Sequence, residues 1–560
     1  MIVLGIHCGH DSSAAIIKDG EILADVAEER FTRLKHCNHV PIKAMAYCLS
    51  VAGLKDINDV DFVAFPWKRT PKDLRVVLGI NKDSYLKSKM IDFLGFGIPS
   101  ERLQLPVYYP DFRLKDERKL INVEHHLAHA ASAFFTRKSN DRCLIFTVDG
   151  AGDGVSTAVW LGEGNSILPL EKLYREASIG WAYSIVTEAL HWWHGDGEGK
   201  TMGLAPYGDR AQCAGVLDQY FPQFQGKVLL RPTKLGQAYY WIENSSTQFH
   251  FDEAYEVERL IDQYGRENIA AEAQYKLEEC MKSYVFGWAG EKGCKCLAFS
   301  GGVFLNVKLN QRIWNERGEL LEEQHIFPNC GDSGLALGAA LYIYYQHRNF
   351  HGCHLEHLYL GPSFSNEEIE RILKERGLHY RYIEQPEITA AALLAENKII
   401  GWFQGRMESG PRALGSRSIL MSPLNAQNKD IINQRVKFRE GFRPFCPSML
   451  WEKAGDYLMD WRDEYFMITS FDAKPQKKKR IPAVVHVDGT VRPQLVKRGV
   501  NPLYWDLINE FGRLTGEFVI LNTSFNVKGE PIVHHPREAI RCFFDTGLDA
   551  LFLGNFFLEK

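Results

Sequence analysis

The sequence lacks an uninterrupted apolar run long enough to cross a membrane. A membrane-spanning helix needs about 18 or more consecutive apolar residues, whereas the stretch "LALGAALYIYY" is shorter and is typical of a buried helix. The N-terminus, "MIVLGIHCGHDSS", has no basic region and soon reaches His and Asp. Because a secretory signal begins with a basic region, we expect neither a signal peptide nor a membrane partner.

Closely spaced cysteine pairs and an excess of charge of one sign are also missing. The 560 residues include 12 cysteines without a CxxC pair, Cys294 and Cys296 being the closest two. Scattered cysteines predict reduced thiols and a cytoplasmic location. The formal net charge is only -4. This balance gives no support for a nucleic-acid or membrane-surface protein, so we predict small-molecule partners.

Two segments share one plan of strands and turns. "IVLGIHCGHDSSAAIIKDGEIL" combines a strand, a small polar loop, a second strand and the turn "KDGE" before a third strand. "LIFTVDGAGDGVSTAVWLGEGNSIL", residues 144–168, repeats this order. The similarity predicts an internal duplication. By fold analogy, a duplicated sheet with facing loops predicts an α/β protein of the actin, Hsp70 and sugar-kinase class, whose loops hold nucleotide phosphates.

Three histidines occupy the short apolar segment "INVEHHLAHAASAFF", residues 121–135. Positions four apart on a helix share a face, so His125 and His129 can share a ligand while His126 points elsewhere. The HxxxH pair favours metal ligation over the alternative of core histidines bonded to carbonyl groups. The Glu of HExxH is missing, which argues against a zinc protease.

Two aspartates at strand and turn positions complete a candidate metal site. Asp149 ends the predicted strand "LIFTVDG", and Asp332 lies in the Gly-flanked turn of "FPNCGDSGLALG". Either aspartate alone would be interpreted as a turn or helix cap. With His125 and His129 they offer two imidazoles and two carboxylates, which suit Fe(II), Mn or Zn rather than Ca.

A glycine turn follows another predicted strand in "CLAFSGGVFLNVKLNQRI". Ser300, Gly301 and Gly302 precede a helix whose first backbone N–H groups can receive phosphate or ribose oxygens. Such a turn is weak evidence by itself. Next to Asp149 it indicates a nucleotide site in the N-terminal half.

A domain boundary is predicted between 1–358 and 359–560. "SNEEIERIL" begins a capped amphipathic helix typical of a new domain. Two motifs beyond it, "GWFQGRMESGPRALGSRSIL" and "NQRVKFREGFRPFCPSM", place basic residues among Gly, Pro and aromatic residues. These basic residues are Arg406, Arg412, Arg417, Arg435, Lys437, Arg439 and Arg443.

This composition predicts a partly buried basic cluster that needs anions. Three or four charge-assisted contacts of roughly 1.5–3 kcal/mol each would hold a polyphosphate or a phosphorylated substrate. The alternative is structural pairing of some of these cations with Glu408 or Glu440.

Ten motifs are distributed along the chain. They are "GIHCGHDSSAAII", "EERFTRLKH", "VEHHLAHAASAFF", "EGKTMGLAPYG", "SGGVFLN", "GDSGLALGAAL", "MESGPRALGSRSIL", "KFREGFRPFCP", "DGTVRPQ" and "LNTSFNVKGEPIV". Together they resemble the NodU/CmcH/TobZ family of O-carbamoyltransferases over nearly the whole chain. The resemblance implies a duplicated actin/Hsp70-like (ASKHA) N-terminal domain similar to the tRNA threonylcarbamoyl transferase fold, and an α/β YrdC-like C-terminal domain.

The resemblance also implies the chemistry. Carbamoyl adenylate would be made from carbamoyl phosphate and ATP with Mg in the YrdC-like domain, and the carbamoyl group would then move to a hydroxyl in the metal-bearing domain. Fe(II) is the expected metal, held by His125, His129, Asp149 and Asp332. Phosphate and nucleotide contacts are expected at Arg412, Arg417, Lys437, Arg443, Arg492, Asn522 and Ser524, and adenylate contacts at Gly301, Gly302 and Asn306.

His10 and Lys35 are the candidate catalytic residues. His10 matches the family's "GHD" turn and would act as general base on the acceptor hydroxyl, because an imidazole accepts a proton near neutral pH. The alternative is a turn residue that bonds its own backbone. Lys35, in "RLKH", would stabilise negative charge on a carbamoyl or phosphate oxygen. Glu198, Lys200 and Tyr207 lie near the expected acceptor cleft without assigned roles.

The predicted function is carbamoyl transfer to a hydroxyl of a small natural product. Two alternatives stay open, a tRNA threonylcarbamoyl-type modification enzyme and a non-catalytic ATP-binding switch of the actin/Hsp70 class. The chain has no basic stripe for tRNA, and a switch would need neither the basic second domain nor the HxxxH helix. The acceptor is not determined, and a homodimer is left open.

Overall fold

The computed structural model describes residues 1–80, 112–235, 238–243, 246–353 and 355–560. In chain order the strands are β1 (Ile2–His7), β2 (Ser13–Lys18), β3 (Glu21–Ala27), β4 (Phe62–Phe65), β5 (Leu120–Asn122), β6 (Cys143–Gly152), β7 (Val155–Glu163), β8 (Ser166–Tyr174), β9 (Gln223–Gln225), β10 (Val228–Arg231), β11 (Ala238–Glu243), β12 (Ser246–Phe251), β13 (Cys296–Ser300), β14 (Glu323–Ile326), β15 (Arg381–Tyr382), β16 (Ile400–Phe403), β17 (Arg417–Met421), β18 (Cys446–Leu450), β19 (Phe471–Asp472), β20 (Thr490–Val491), β21 (Gln494–Val496), β22 (Val519–Ser524), β23 (Ala550–Leu553) and β24 (Phe556–Glu559).

The α-helices of the described ranges connect and cover these strands. They are α1 (Glu29–Thr32), α2 (Ile42–Val51), α3 (Lys72–Val77), α4 (His125–Phe134), α5 (Ile179–Ala189), α6 (Glu198–Leu204), α7 (Asp252–Tyr264), α8 (Arg266–Lys292), α9 (Val307–Asn315), α10 (Leu335–His347), α11 (Asn366–Glu375), α12 (Pro386–Ala395), α13 (Asn428–Ile432), α14 (Ala454–Tyr457), α15 (Pro475–Lys478), α16 (Pro502–Thr515) and α17 (Pro536–Asp545). Within these ranges, no helix combines the length and the apolar character that a membrane crossing requires.

Two five-stranded sheets repeat one topology. The first has the order β3-β2-β1-β4-β5 and the second has the order β8-β7-β6-β13-β14. In each sheet, the three strands that come first in sequence (β1–β3 or β6–β8) form antiparallel pairs. The two later strands run parallel to β1 in the first sheet and to β6 in the second. Both predicted hairpin plans therefore form as expected, and the predicted internal duplication is confirmed.

Helices α4 and α10 pack against each other between the two sheets. Helix α10 lies on β1, β2 and β4, whereas α4 lies on β6, β7 and β13. The close packing depends on glycine, because a Cβ on Gly5 would lie 1.9 Å from the Ala336 carbonyl oxygen and one on Gly338 would lie 2.1 Å from that of Ala128. This seam between the sheets receives the histidine face of α4.

The C-terminal part of the chain forms an eight-stranded mixed sheet. Its order is β15-β24-β23-β16-β17-β22-β18-β21. Helices α12 and α16 pack together beside one apolar cluster of this part, and a larger cluster includes residues of α11 and α17. The predicted start of α11 is confirmed, since the Ser365 side chain accepts from the Glu368 N–H and the Glu368 carboxylate accepts from the Ser365 N–H. The boundary at 358–359 stays a prediction.

We predict that Gly5→Ala destabilises the protein by about 1–3 kcal/mol, the usual cost of overpacking. The added methyl group would collide with backbone atoms of α10 rather than with a side chain that can rotate away. Urea denaturation measures the effect. In the control Gly290→Ala, on α8, the new Cβ meets its nearest atom at 4.0 Å, so stability should be unchanged or rise by up to ~1 kcal/mol. Equal stability of Gly5→Ala and the wild type would contradict the prediction.

Candidate active site

The four predicted metal ligands converge at the seam between the two sheets. One ligand atom from each of His125, His129, Asp149 and Asp332 lies within 4.8 Å of the others. The His129 Nε2 is 3.3 Å from Asp149 Oδ2 and 3.5 Å from Asp332 Oδ1, and the His125 Nε2 is 3.7 Å from Asp332 Oδ1. Ligand atoms bound to one ion at about 2.1 Å lie roughly 3–4 Å apart. The spacing therefore fits a single divalent ion.

The imidazole nitrogens at this cluster fit a metal better than a hydrogen-bond network. Both ring nitrogens of His125 and the Nε2 of His129 are buried without a hydrogen-bond partner among the described residues. The His129 Nδ1 is 3.2 Å from the Ser300 hydroxyl, which directs Nε2 toward the carboxylates. The histidine side chains are 1% exposed, but those of Asp149 and Asp332 are 22% and 19% exposed. The carboxylate side is thus open to a ligand.

The charges of the cluster are strongly coupled. Burial and the neighbouring imidazoles hold the pKa of His125 well below its ordinary value. Burial also opposes protonation of His129, but both carboxylates outweigh it and raise the pKa of His129 to about 9. Burial and the charge of Asp149 raise the pKa of Asp332. A cation placed among these groups would relieve the repulsion between the two carboxylates.

His126 has a structural role, as the helical spacing predicts. Its Nδ1 is 2.9 Å from the Thr147 hydroxyl and its Nε2 is 2.9 Å from the Val155 carbonyl oxygen. Both ring nitrogens are therefore satisfied within the second sheet. Burial lowers the pKa of His126 to about 4, so this ring stays neutral at neutral pH.

The glycine turn after β13 lies directly against the cluster. Gly301 has a φ of 102°, and a Cβ there would lie 2.1 Å from the Val148 carbonyl oxygen. The Gly302 N–H is 3.2 Å from Asp149 Oδ2. Asn306 caps α9 by accepting from the Leu309 N–H at 3.0 Å. The turn and the metal cluster thus form one site, while the Asn306 amide is engaged in the helix start.

His10 belongs to a second polar cluster with Asp11 and His36. The His10 Nδ1 is 3.2 Å from Asp11 Oδ2, and the His36 Nδ1 is 2.6 Å from Asp11 Oδ1. The two imidazole rings stack with centroids 4.9 Å apart. Burial opposes protonation of His10, but Asp11 outweighs it and raises the pKa of His10. The contact with Asp11 leaves the His10 Nε2 as the ring nitrogen available to a substrate.

Lys35 is tied to the same cluster through Asp196. The Lys35 ammonium and the His36 Nε2 both approach Asp196 Oδ1. Asp11 and Asp196 outweigh the effect of burial and raise the pKa of His36 to about 10. The sequence patterns did not predict that Asp11, His36 or Asp196 belongs to the site. Asp11 directly follows His10 in "GHD", and His36 directly follows Lys35 in "RLKH". This adjacency is the sequence feature that could have placed them in the site.

The C-terminal part contributes a cluster of guanidinium groups. Burial and the charge of Arg492 lower the pKa of Arg412 to about 9, and burial and Arg443 lower that of Arg439 to about 9. The Arg412 Nε is buried without a hydrogen-bond partner among the described residues. Arg492 donates to the Cys446 sulfur from Nε at 3.0 Å and from a terminal nitrogen at 2.8 Å. Four partly exposed guanidinium groups, with Glu440 near Arg443 as a neighbouring carboxylate, make an anion-binding type of site.

Lys437 and Ser524 lie at the side of this cluster. The Lys437 ammonium donates to the Ser524 carbonyl and hydroxyl oxygens at 2.8 and 3.2 Å, and to two oxygens of Asn526 at 3.0 and 2.6 Å. Lys437 is only 5% exposed, and burial holds its pKa well below the ordinary value. If Lys437 binds phosphate as predicted, its ammonium must release one of these four oxygens and donate to a phosphate oxygen instead.

Arg417 and Asn522 are further inside the domain than a ligand contact requires. Arg417 is fully buried, stacks on Phe403 at 3.6 Å and donates to backbone carbonyls, including that of Gln404 at 2.8 Å. Asn522 is 1% exposed and donates to the Ala413 carbonyl at 3.0 Å. Both side chains hold neighbouring backbone in this structure, and their assignment as phosphate contacts stays a prediction.

The motif "EGKTMGLAPYG" faces the C-terminal part of the chain. Glu198 accepts from the Ser184 hydroxyl and the Gly195 N–H, both at 2.8 Å, and so holds the loop before α6. The Lys200 ammonium is 3.7 Å from Glu440. Tyr207 contacts Phe442, with ring centroids 6.5 Å apart. Lys200 and Tyr207 thus contact the segment that carries Arg439 and Arg443.

Fold and site together define a two-part α/β protein with a His/Asp centre of metal-binding type and a cluster of partly buried guanidinium groups. Two family models match the chain, "Carbamoyltransferase N-terminus" over residues 2–341 and "Carbamoyltransferase C-terminus" over residues 391–560. The chain belongs to the carbamoyltransferase family, and it is a transferase.

Relatives match over most of the chain. An uncharacterized protein of Synechocystis is 35% identical, with all of this chain and 96% of that protein covered. The nodulation protein NolNO of Sinorhizobium fredii is 33% identical over 98% of this chain and 79% of its own length. A solved structure, HypF of T. kodakarensis, is 14% identical with a TM-score of 0.32, covering 62% of this chain and 48% of that chain. Those last values are too low to bear on the fold.

We predict that replacing His125 and His129 by Ala together removes the bound metal. The two imidazoles are half of the clustered donor set, and loss of two of four ligands leaves only exposed carboxylates. Elemental analysis after equal loading with Fe(II), Mn(II) or Zn(II) measures the effect. The control His126→Gln should keep the metal, because His126 contacts Thr147 and Val155 instead. A full metal equivalent in the double variant would show that the ligands lie elsewhere.

Proposed function

We propose that the chain makes carbamoyl adenylate from carbamoyl phosphate and ATP, and transfers the carbamoyl group to a hydroxyl of a small natural product. In this proposal the duplicated domain is of the actin/Hsp70 type and the C-terminal domain is YrdC-like. Membership of the carbamoyltransferase family supports the group that is transferred. The acceptor is proposed to be small because the net charge of -4 and the balanced composition offer no basic stripe for a nucleic acid.

The observation that carries the proposal is the electrostatic interaction between the two polar centres. Asp196, which approaches Lys35 and His36, also acts on the pKa of Arg443 in the guanidinium cluster. Lys35 in turn acts on the pKa of Lys437. The candidate catalytic groups in the N-terminal part and the anion-binding type of cluster therefore lie close enough for their charges to interact. A phosphorylated intermediate made at one centre would be received at the other.

The adenylate half of the reaction needs cations rather than acids and bases. Carbamoyl phosphate loses inorganic phosphate to water, and the carbamate oxygen then attacks the α-phosphorus of ATP while pyrophosphate leaves. Negative charge builds up on phosphate oxygens in both steps, and fixed guanidinium groups stabilise it. Arg412, Arg439, Arg443 and Arg492 supply such groups, and Arg412 has a buried Nε still without a partner among the described residues.

The transfer half needs a base for the acceptor. The hydroxyl oxygen attacks the carbamoyl carbon, its proton passes to the His10 Nε2, and AMP leaves. Asp11 holds His10 through Nδ1 and stabilises the imidazolium that forms. Lys35 would stabilise charge on the carbamoyl or phosphate oxygen. A divalent ion held by the His/Asp cluster, for which we propose Fe(II), would supply Lewis-acid stabilisation of the adenylate phosphate.

Pyrophosphate release tests the first half of the proposal. ATP and carbamoyl phosphate together, without acceptor, should yield pyrophosphate, whereas ATP alone should not. A mass-spectrometric screen of hydroxylated metabolites for the gain of one carbamoyl group tests the second half. Carbamoylation of bulk tRNA in the same screen would favour the tRNA-modifying alternative, and ATP binding without turnover would favour the switch.

We predict that Arg412→Gln and Arg443→Gln each reduce pyrophosphate release by about 10-fold or more, since a charge-assisted contact contributes roughly 1.5–3 kcal/mol. Both variants should still transfer the carbamoyl group when they receive preformed carbamoyl adenylate. Steady-state kinetics of pyrophosphate formation measure the loss. The matched control is Arg435→Gln, because Arg435 lies at the surface and pairs with Asp549 at 2.9 Å. Failure with the preformed intermediate as well would contradict the division into two centres.

We predict that His10→Ala forms adenylate normally but transfers about 10²–10⁴-fold more slowly. Single-turnover transfer from preformed carbamoyl adenylate to the acceptor found in the screen measures the rate. A base acts only when it is deprotonated, so the raised pKa of His10 places the rise of the wild-type rate above pH 6.5. Asp11→Asn removes the charge that raises this pKa and should shift the rise to lower pH. Equal rates for His10→Ala and the wild type would remove His10 from the mechanism.

A further inference from the structure

A buried carboxylate connects the two domains close to the metal cluster. Asp25, on β3, is fully buried. Its Oδ2 accepts hydrogen bonds from the Ser409 hydroxyl and from the Asn329 amide, the latter at 3.2 Å. The Asn329 amide is also 3.4 Å from the Ser409 hydroxyl. Burial raises the pKa of Asp25 to about 6, and the two donors oppose that rise. A carboxylate in such a place is costly unless its partners stay in position.

One partner, Ser409, belongs to the segment that carries Arg412. Glu408, next to it, accepts from three backbone N–H groups at 2.7 to 3.1 Å and so closes the loop that contains Arg412. Arg30 of the N-terminal domain donates to the Gly410 carbonyl at 2.8 Å. The loop is therefore a rigid unit fixed to the N-terminal domain at two neighbouring points. A shift of Arg412 toward an anion would be transmitted to Ser409.

The other partner, Asn329, belongs to the segment that carries Asp332. The Ser333 hydroxyl donates to the Asn329 Oδ1 at 2.6 Å. Ser333 follows Asp332 directly, and both lie in the short turn Asp332–Gly334 that leads into α10. A Cβ on Gly334 would lie 2.0 Å from the Asn329 carbonyl oxygen, so the turn packs closely against the Asn329 backbone. A shift of Asn329 would therefore move the Asp332 carboxylate.

We propose that Asp25 is a positioning residue that couples anion binding at Arg412 to metal binding through Asp332. The path runs from Ser409 through Asp25 and Asn329 to Ser333, by hydrogen bonds between side chains. The inference rests on the proposed function, because it assumes an anion at the guanidinium cluster and a metal at the His/Asp cluster. It goes beyond that function because it gives a role in coupling the two binding events to residues that contact neither the anion nor the metal.

The coupling is measured by titrating Mn(II) with and without phosphonoacetamide, a stable analogue of carbamoyl phosphate, using full-length protein and calorimetry. In the wild type we expect the analogue to change the Mn(II) dissociation constant at least about 5-fold, the lower range of allosteric coupling. By reciprocity, Mn(II) must change the affinity for the analogue by the same factor. Ser409→Ala and the volume-conserving Asp25→Asn should reduce that factor to below about 2.

The matched control is Ser470→Ala. Ser470 is also a buried serine at the domain contact, and its hydroxyl bonds the Val307 carbonyl at 3.2 Å and Gln311 at 2.7 Å, away from the Asp332 turn. It should keep the wild-type coupling factor. Thermal unfolding shows whether each variant is folded. A loss of stability that weakens both binding events equally leaves the ratio of the two Mn(II) dissociation constants unchanged.

Three outcomes overturn the inference, and a fourth contradicts the proposed function on which it rests. Independent binding of Mn(II) and the analogue to the wild type contradicts the coupling but leaves the proposed function standing. Wild-type coupling in folded Ser409→Ala and Asp25→Asn shows that the path does not run through Asp25, as does an equal loss in Ser470→Ala. Failure of the wild type to bind Mn(II) or the analogue contradicts the proposed function itself.

Discussion

The close approach of four ionisable side chains in an apolar seam is the constraint on which the N-terminal domain depends. Two imidazoles from α4, the Asp149 carboxylate from β6 and the Asp332 carboxylate from the turn before α10 meet where the two sheets face each other. Such charges are costly in a low dielectric unless they compensate one another. Gly5 and Gly338 allow α10 to approach β1 and α4 closely enough for this compensation. The packing of the seam and the chemistry of the site are therefore the same feature.

Two arginines in one motif of the C-terminal part, Arg412 and Arg417, differ in exposure and in their contacts. The terminal nitrogens of Arg417 donate to backbone carbonyls, and the fully buried side chain stacks on Phe403. Arg412, five positions earlier, is partly exposed, and the Nε atoms of both arginines have no partner among the described residues. Desolvation lowers the pKa of both guanidinium groups. The partly exposed Arg412 is the one that an incoming anion can reach, and this distinguishes a candidate ligand contact from a structural cation.

The contact between the domains gives the two centres a common environment. The Lys200 ammonium lies beside Glu440, and Arg33 donates to the carbonyls of Pro531 and Ile532 at 2.6 and 2.7 Å. These contacts are made by motif residues and by their immediate neighbours. In the proposed reaction, an acyl adenylate made at one centre would have a short path to the other, and less of that path would be exposed to water. The geometry is consistent with the family to which the chain belongs.

The sequence by itself determined the local elements: both hairpins, the histidine helix, the glycine turns and the capping box of α11 follow from periodicity and turn chemistry. It also pointed to the four clustered residues, His125 and His129 through the local HxxxH spacing, and Asp149 and Asp332 through their positions beside glycine turns. Only the tertiary structure decided that Asp11, His36 and Asp196 join His10 and Lys35, and that Arg417 and Asn522 face inward. Charge compensation and burial depend on residues distant in the chain, and the pattern of a single segment carries no information about which partners those are.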